Sequence, residues 1–174
     1  MAAARQKILI VDDERRLADS LCDLLRQAGY EAVAAYTGRE ALDRLEAHPF
    51  PLVITDLRMD GMDGLALIAE IARRHPSTQM IVMTGYASTE SAIAAVRCRV
   101  FDYLCKPFDF QTMRLAVEKA FQAIEAERLR QDTAAMLSHD MKIPLTSILG
   151  FAAMIYDRET GRIHERAAEF AETI

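Results

Sequence analysis

Five short apolar runs, separated by stretches with helical spacing, constrain the fold of this chain more than any other feature. The runs are KILIV (7–11), EAVAAY (31–36), LVITDL (52–57), QMIVMT (79–84) and DYLC (102–105). Each run is too short for a typical helix, and none alternates strictly between apolar and polar residues, which is typical of strands buried on both faces. Five such strands with helices between them predict a doubly wound, five-stranded parallel α/β sheet.

The segments between these runs carry apolar residues at helical spacing. Gly29, His48-Pro49 and His75-Pro76 are expected to end the first three helices. In a doubly wound sheet, ligands bind at the carboxyl ends of the strands, so functional residues are expected there. The predicted apolar stripes are Leu17, Leu21, Leu24 and Leu25; Ala41, Leu42 and Leu45; Leu65, Ile68 and Ile71; and Ile93 with Val96.

Composition limits the domain count and the classes of partner. A chain of 174 residues, 51% of them hydrophobic, can bury one core of about 100 to 150 residues with an appendage left over. The formal net charge of -5 gives no reason to expect nucleic acid or an anionic membrane surface as a partner. The N-terminal apolar run is too short for a signal peptide or a membrane span, so no membrane contact is predicted. Cys22, Cys98 and Cys105 are predicted to be buried, reduced thiols of a cytoplasmic protein.

Polar residues follow the predicted strands at their carboxyl ends. Three carboxylates brought together there would repel one another unless they shared a cation, and a hard divalent ion such as Mg²⁺ suits oxygen ligands. A lysine and a hydroxyl beside that ion would suit a phosphoryl group. Each residue taken alone has a structural alternative: Asp12, Asp13 or Glu14 could cap the next helix. The set consists of Asp12, Asp13, Asp56, Thr84 and Lys106.

Residues 5 to about 123 resemble a response-regulator receiver domain. The resemblance rests on ILIVDDE, VITDLRMDGMDGL, the Thr84-Gly85 step and DYLCKPF. It implies a flavodoxin-like fold with strand order 2-1-3-4-5, and Asp56 as the phosphoryl acceptor. The further roles that it implies are Mg²⁺ held by Asp13, Asp56, the backbone carbonyl of Arg58 and, through water, Asp12; a phosphate contact from Thr84; and a pairing of Lys106 with the carboxylate or phosphoryl group.

The same resemblance extends to residues around this site. It implies that Tyr103 is an aromatic switch and that the Lys106-Pro107 bond is cis. Arg58 and Tyr86 lie at positions that resemble those tuning the lifetime of the phosphate. Arg99-Val100 stands where the family often has Gly-Ala, so the preceding helix lacks its easiest left-handed stop.

A long helix is predicted after Pro107, with Asp109 as its cap. No Gly or Pro interrupts residues 108–142, and Met113, Val117, Ala120 and Ile124 form an apolar stripe. The stripe weakens in EAERLRQD (125–132), which is either a solvated spacer or a coiled-coil seam with a change of phase. A second apolar stripe is expected to form a dimer interface, and its residues are Leu137, Met141, Leu145, Ile148, Ala152 and Ile155. The helix is expected to bend at Pro144, and a loop in DRETGR (157–162) is expected to lead to a further helix from His164.

The segment SHDMKIPLTSILGFAAMI (138–155) resembles the dimerisation and phosphoacceptor segment of histidine kinases. The resemblance implies that His139 takes a phosphoryl group from ATP, with Asp140 as general base, and that two chains form a four-helix bundle. Because no glycine-rich nucleotide loop is present, the chain alone is not expected to phosphorylate itself from ATP. The expected domains are a receiver (1–123), a helical linker (124–136) and a partial dimerisation and phosphoacceptor domain (137–174) of a longer hybrid sensor kinase.

Three functions follow from these patterns. The favoured one is a two-component phosphorelay in which a receiver, served by a cognate histidine kinase or phosphotransfer protein, controls the His139 module of a homodimer. The alternative is a non-enzymatic relay adaptor or response regulator that acts by protein–protein interaction. A DNA-binding regulator is disfavoured, because residues 113–174 contain eight Lys or Arg against ten Asp or Glu.

Overall fold

A computed structural model of the protein describes residues 6–59, 61–85 and 97–160, with side chains described through residue 134 and at Met136. Its elements alternate as the sequence predicts. They are β1 (Lys7–Val11), α1 (Arg15–Gln27), β2 (Glu31–Ala35), α2 (Gly38–Ala47), β3 (Leu52–Asp56), α3 (Gly64–Arg74), β4 (Gln79–Thr84), β5 (Asp102–Cys105) and α4 (Phe110–Thr160). The predicted helix at Ile93 and Val96 lies outside the described residues.

The strands form one parallel sheet in the order β2-β1-β3-β4-β5, which confirms the predicted fold and strand order. The second and third strands each end one residue earlier than predicted. Ile10 pairs with Ala34 on one side and with Ile54 on the other, which fixes the register of the three strands from β2 to β3. All five residues of β3 are buried, as expected of a central strand covered on both faces.

Alternate residues of β1 face two separate hydrophobic clusters. Ile8 and Ile10 pack with the buried residues of α1 and of the first turns of α4. Leu9 and Val11 pack with α2 and α3. This alternation follows from the two-residue period of a strand, and it places a layer of helices on each face of the sheet. Within α4, Met113, Val117 and Ala120 are fully buried and Ile124 packs against the same cluster, as the first predicted stripe requires.

The helix ends follow the local chemistry of the sequence. Gly29 has φ 99° after α1, the left-handed conformation that glycine adopts without strain. Thr37 and Asp109 cap their helices by accepting hydrogen bonds from the backbone N–H groups three residues later. Arg99 also has a positive φ, 56°, so the chain makes a left-handed turn there even though the sequence lacks the glycine.

The prediction that all three cysteines are buried needs correction. Cys22 is buried and Cys98 is half-buried, but Cys105 is exposed at the end of an edge strand. All three are free thiols, as predicted. The prediction of burial for Cys105 rested on its place within the apolar run DYLC, but β5 is an edge strand, where only part of each face is covered.

The chain divides into two units, residues 1–125 and 126–174, and α4 continues into the second unit. The predicted loop at 157–162 is wrong in its first part, because residues 157–160 are helical. Intrinsic preferences place helix ends only to within a residue or two. The bend at Pro144 and the helix from His164 are untested, since the side chains after Met136 and all residues after Thr160 lie outside the description. Within the described residues, no helix is both long and apolar enough to cross a membrane.

Candidate functional site at the carboxyl edge of the sheet

Four polar residues from separate strands come together at the carboxyl edge of the sheet. Asp12 follows β1, Asp56 ends β3, Thr84 ends β4 and Lys106 follows β5. Asp12, Asp56 and Thr84 have relative exposures of 1%, 8% and 1%. The ends of the strands are held in line by backbone bonds, in which Leu57 donates to Met83 and Lys106 donates to Thr84. The parallel sheet therefore positions side chains that lie up to 94 residues apart in sequence.

Lys106 joins the two buried carboxylates. Its Nζ donates to Asp12 Oδ2 at 2.8 Å and to Asp56 Oδ2 at 2.6 Å. Hydrogen bonds between two charged groups are about twice as strong as neutral ones, and they are shorter. The lysine itself is partly accessible, with a side-chain exposure of 21%, so its ammonium group lies between the buried acids and solvent.

Burial and the contacts between the lysine and the acids shift the pKa values of these groups in opposite directions. Burial raises the pKa of Asp12, and the hydrogen bond and charge of Lys106 offset only part of that rise. Burial alone would lower the pKa of Lys106, but its hydrogen bonds to Asp12 and Asp56 and their charges raise it above its ordinary value. The lysine is therefore held in its cationic form, while Asp12 carries an electrostatic cost when it is ionised.

The remaining carboxylate oxygens accept bonds from the local backbone. Asp12 Oδ1 accepts from the N–H of Glu14 at 2.9 Å, and Asp56 Oδ1 accepts from the N–H of Arg58 at 3.1 Å. Helix α1 begins at Arg15 without a side-chain cap. The helix-cap alternative for Asp12 and Glu14 therefore has no support in the structure, and Asp12 instead orders the turn between strand and helix.

An opening lies at the loop that follows β3. It has a volume of about 290 Å³ and is lined by Asp13, Leu57, Arg58, Met59 and Asp63. Asp13 is exposed, so its carboxylate is available to solvent at the rim. The side chain of Thr84 is buried at the end of β4, and Tyr103 is half-buried in β5. The Lys106-Pro107 bond is cis, and Tyr86 lies outside the described residues.

The donor set fits a hard cation chemically, although its ligands are not closely grouped. Asp12, Asp13 and Asp56 offer the oxygen ligands that Mg²⁺ prefers. In the described part of the chain, however, no group of three or more His, Cys, Asp or Glu side chains is close enough together to hold a metal ion. Lys106 contacts two of the acids, and its single positive charge offsets one of their two negative charges.

Gly64 is a functional position that the sequence interpretation missed. A Cβ built on Gly64 would lie 2.3 Å from the backbone oxygen of Asp56 and 2.5 Å from Leu57 Cα. Its N–H also donates to the oxygen of Leu57 at 3.0 Å. Helix α3 therefore begins directly against the backbone of the site, which only glycine permits. The signal that could have identified it is a glycine at the first position of a helix that follows a strand bearing a site residue.

His139 and Asp140 belong to a different part of the chain from the residues of the sheet edge. Both lie within the helical bounds of α4, and their side chains are outside the described residues. The predicted pairing of the two side chains for phosphoryl transfer is therefore untested by the structure.

Comparison with known protein families identifies the sheet-containing part. A family model described as the response regulator receiver domain matches residues 8–118. The transcriptional regulatory protein ZraR of Escherichia coli K12 is 40% identical over 123 residues, which is 69% of this chain and 28% of ZraR. The DNA-binding transcriptional regulator NtrC of the same organism is 32% identical over 158 residues, which is 90% of this chain and 32% of NtrC.

Solved structures agree with these relatives. A CheY-like receiver domain protein from Methanospirillum hungatei JF-1 has a TM-score of 0.70 and 29% identity, with 71% of this chain and 99% of that one covered. The response regulator TrrA from Thermotoga maritima, crystallised with Mg²⁺ and BeF, has a TM-score of 0.61 and 31% identity, with 66% and 98% covered.

The chain matches only about a quarter to a third of the length of ZraR and NtrC. Both are response regulators of transcription and not hybrid histidine kinases. The predicted assignment to a hybrid kinase therefore has no support from these relatives. The protein–protein response regulator that the sequence left as an alternative agrees with them better.

Proposed function

Because this chain belongs to the response regulator receiver domain family, we propose that it is a response regulator that accepts a phosphoryl group on Asp56 and signals through protein–protein contacts. The observation that supports this most directly is the 2.6 Å contact between Lys106 Nζ and Asp56 Oδ2 at the carboxyl edge of the sheet. The donor would be a cognate histidine kinase, a phosphotransfer protein or a small acyl phosphate.

The reaction is a displacement at phosphorus. An oxygen of the Asp56 carboxylate forms the new P–O bond as the bond from phosphorus to the donor breaks, so the products are aspartyl phosphate and the dephosphorylated donor. The bond electrons leave with the donor. Such transfers depend mainly on position and on neutralising the phosphoryl oxygens. Asp56 is fixed by its backbone bond from Arg58, and Lys106 provides a cation 2.6 Å from the reacting carboxylate.

Mg²⁺ is part of this proposal. Asp12, Asp13 and Asp56, with the backbone carbonyl of Arg58, would hold it, and it would supply positive charge to the phosphoryl oxygens. The support is the oxygen-only donor set and the structure of the similar protein TrrA in complex with Mg²⁺ and BeF. Thr84, which is buried beside the site, would then move to donate its hydroxyl to a phosphoryl oxygen. Tyr103, in the neighbouring strand, would change its side-chain position in response to the movement of Thr84.

The proposal is tested by labelling the chain with radioactive acetyl phosphate and Mg²⁺. We expect Asp56→Asn to lose the label by about 100-fold or more, because the amide is not a nucleophile. Asp132→Asn, a change to an exposed acid on α4, is the control and should label like wild type. Absence of label from the wild type, or equal label in Asp56→Asn, would contradict the assignment of Asp56.

A second phosphoryl site at His139 has one observation in its favour, the motif SHDMKIPLTS. In this second proposal, residues 1–123 form the receiver, 124–136 a linker and 137–174 a partial phosphoacceptor domain that dimerises. His139 would accept the γ-phosphoryl of ATP, and Asp140 would act as its base. The test supplies labelled ATP and a separate histidine-kinase ATP-binding domain. Alkali-stable label on the wild type but not on His139→Gln would support it, and equal label would end it.

We do not propose for this chain the role in transcription that the names of ZraR and NtrC describe. Its C-terminal part has an excess of acidic over basic residues, which is unfavourable for contact with phosphates. We infer that this part of the chain acts on protein, in keeping with the exposed apolar residues of α4.

A further inference from the structure

We propose that residues 125–136 of α4 form a parallel, in-register seam with the same segment of a second copy of this chain. The proposal deepens the dimerisation proposed above and does not depend on phosphoryl transfer. It also decides between the two interpretations of EAERLRQD, spacer and seam, in favour of the seam.

The seam consists of Ala126, Leu129, Thr133 and Met136. Their spacing of three, four and three residues places them on one stripe of a helix. Leu129 and Met136 are exposed, with relative exposures of 57% and 70%. They make up half of the four large exposed apolar residues found in the described part of the chain. An unfilled stripe of this kind exposes apolar surface that a facing copy would bury, at about 25 cal/mol per Å².

Two of the four residue types agree with a two-stranded coil, Thr133 at an a position and Leu129 at a d position. In heptad terms, Leu129 and Met136 occupy d positions, and Ala126 and Thr133 occupy a positions. A β-branched residue at a with leucine at d favours a two-stranded parallel coil. Thr133 is polar, but its Oγ1 donates to the carbonyl of Leu129 at 2.7 Å. Its hydroxyl is therefore satisfied within the helix and can enter the seam without an unpaired donor.

Charge fixes the orientation of the two copies. Glu125 and Arg130 are both exposed and occupy g and e positions beside the seam. In a parallel pair, a g residue faces the e residue five positions later on the partner, so Glu125 of each copy meets Arg130 of the other. In an antiparallel pair, g faces g, which would place Glu125 near Asp132 or another acid. The parallel arrangement forms two attractive pairs where the antiparallel one forms repulsive pairs.

The other charges of the segment have partners along the helix itself. Gln131 donates to Glu127 at 3.2 Å, and Arg128 lies 3.9 Å from Asp132, each pair separated by four residues. Glu127, Arg128 and Gln131 occupy b, c and f positions on the side away from the seam, and Asp132 occupies a g position beside it. One side of the helix is thus polar and self-paired, while the other is apolar and flanked by complementary charges.

The test is sedimentation equilibrium of the whole chain at concentrations from about 1 to 200 µM. Exchanging two residues, Leu129→Gln together with Gln131→Leu, moves leucine off the seam without changing composition or helix propensity. We expect this double variant to raise the dimer dissociation constant by about tenfold or more. Labelling of Asp56 by acetyl phosphate serves as the check that the receiver remains folded, and it should match wild type.

The orientation has its own test. Arg130→Glu should weaken dimerisation by about two- to fivefold, because two acids would then face each other, and adding Glu125→Arg should restore it. A wild-type chain that stays monomeric throughout the range would overturn the proposal. A dimer that survives the leucine exchange would place the interface elsewhere. Failure of the charge reversal to restore affinity would rule out the parallel, in-register pairing. None of these results depends on whether Asp56 is phosphorylated.

Discussion

The sheet-edge site and the segment of α4 after Glu125 are governed by opposite constraints. At the site, Asp12 and Asp56 are buried, Lys106 contacts both acids, and Gly64 touches backbone. In residues 126–134, every described side chain is exposed. Position is set by packing in the first region and by helix periodicity alone in the second.

This difference determines what a substitution can do. In the packed region, one added or neutralised group meets atoms that cannot move far, since protein interiors are close-packed. On the exposed helix, the same change meets solvent, and surface substitutions usually alter stability by less than about 0.5 kcal/mol. Two matched pairs of substitutions, one member in each region, test this contrast, and a third pair compares two exposed arginines, Arg99 and Arg128, that differ in backbone conformation.

The largest contrast is expected from adding carbon atoms. Gly64→Ala places a methyl group 2.3 Å from the oxygen of Asp56, so the backbone of the site must shift. We expect it to lower the free energy of unfolding by about 3 kcal/mol and to slow labelling by acetyl phosphate. Ala134→Leu adds three carbons on α4 and should change stability by less than about 0.5 kcal/mol. Urea unfolding measures both.

Gly85→Ala is the internal control for this pair. Gly85 also follows a strand that ends at the site, but a Cβ there meets nothing within 4 Å. If Gly85→Ala were as destabilising as Gly64→Ala, the cost would come from loss of glycine as such and not from the contact with Asp56.

A smaller contrast is expected from neutralising an acid. Burial raises the pKa of Asp12 above its ordinary value of 3.8, so the folded state holds this proton more tightly than the unfolded state does. The resulting stability is present below pH 3.8 and is lost as pH rises from 3.8 to the raised value. At pH 7, Asp12→Asn should therefore raise Tm, by about 2 to 4 °C for each kcal/mol of cost that it removes. Asp132→Asn, at a side chain that is 70% exposed, should leave Tm unchanged.

The pH profile is measured as the difference between each variant and wild type, because Glu40, Glu70 and Asp109 have lowered pKa values and contribute with the opposite sign. For Asp12→Asn, the difference should grow as pH rises from about 4 and then level off. A variant that is less stable than wild type at pH 7 would show that the Lys106 bond outweighs the cost of burying the charge.

The same contrast explains how far the sequence could predict the structure. Runs such as KILIV predicted β1 to the residue, because strands buried on both faces must be continuously apolar. Asp12, Asp56 and Lys106 could be assigned to one edge, since the carboxyl ends of parallel strands meet there. The contact of Gly64 with the backbone of Asp56 could not be predicted, because it depends on the approach of α3 to the end of β3.

The existence of α4 could be predicted from the sequence, but its end and the partner of its exposed apolar stripe could not. The absence of Gly and Pro over residues 108–142 predicted one continuous element, which the structure confirms. Its end was placed too early, at Asp157, because sequence preferences locate helix ends only approximately. A stripe such as Leu129 and Met136 indicates an interaction, but its spacing does not state whether the partner is the same chain.

The smallest contrast concerns one backbone angle. Arg99 has φ 56°, a left-handed conformation that costs a residue with a Cβ roughly 1 kcal/mol relative to glycine. Arg99→Gly should therefore raise the free energy of unfolding by about 0.5 to 1 kcal/mol, reduced somewhat by the greater freedom of glycine in the unfolded chain. Arg128→Gly makes the same exchange inside α4, where it should cost about 1 kcal/mol of helix stability. Thermal unfolding followed at 222 nm should give shifts of opposite sign. Equal losses in both variants would mean that the guanidinium of Arg99 contributes more than its backbone conformation costs.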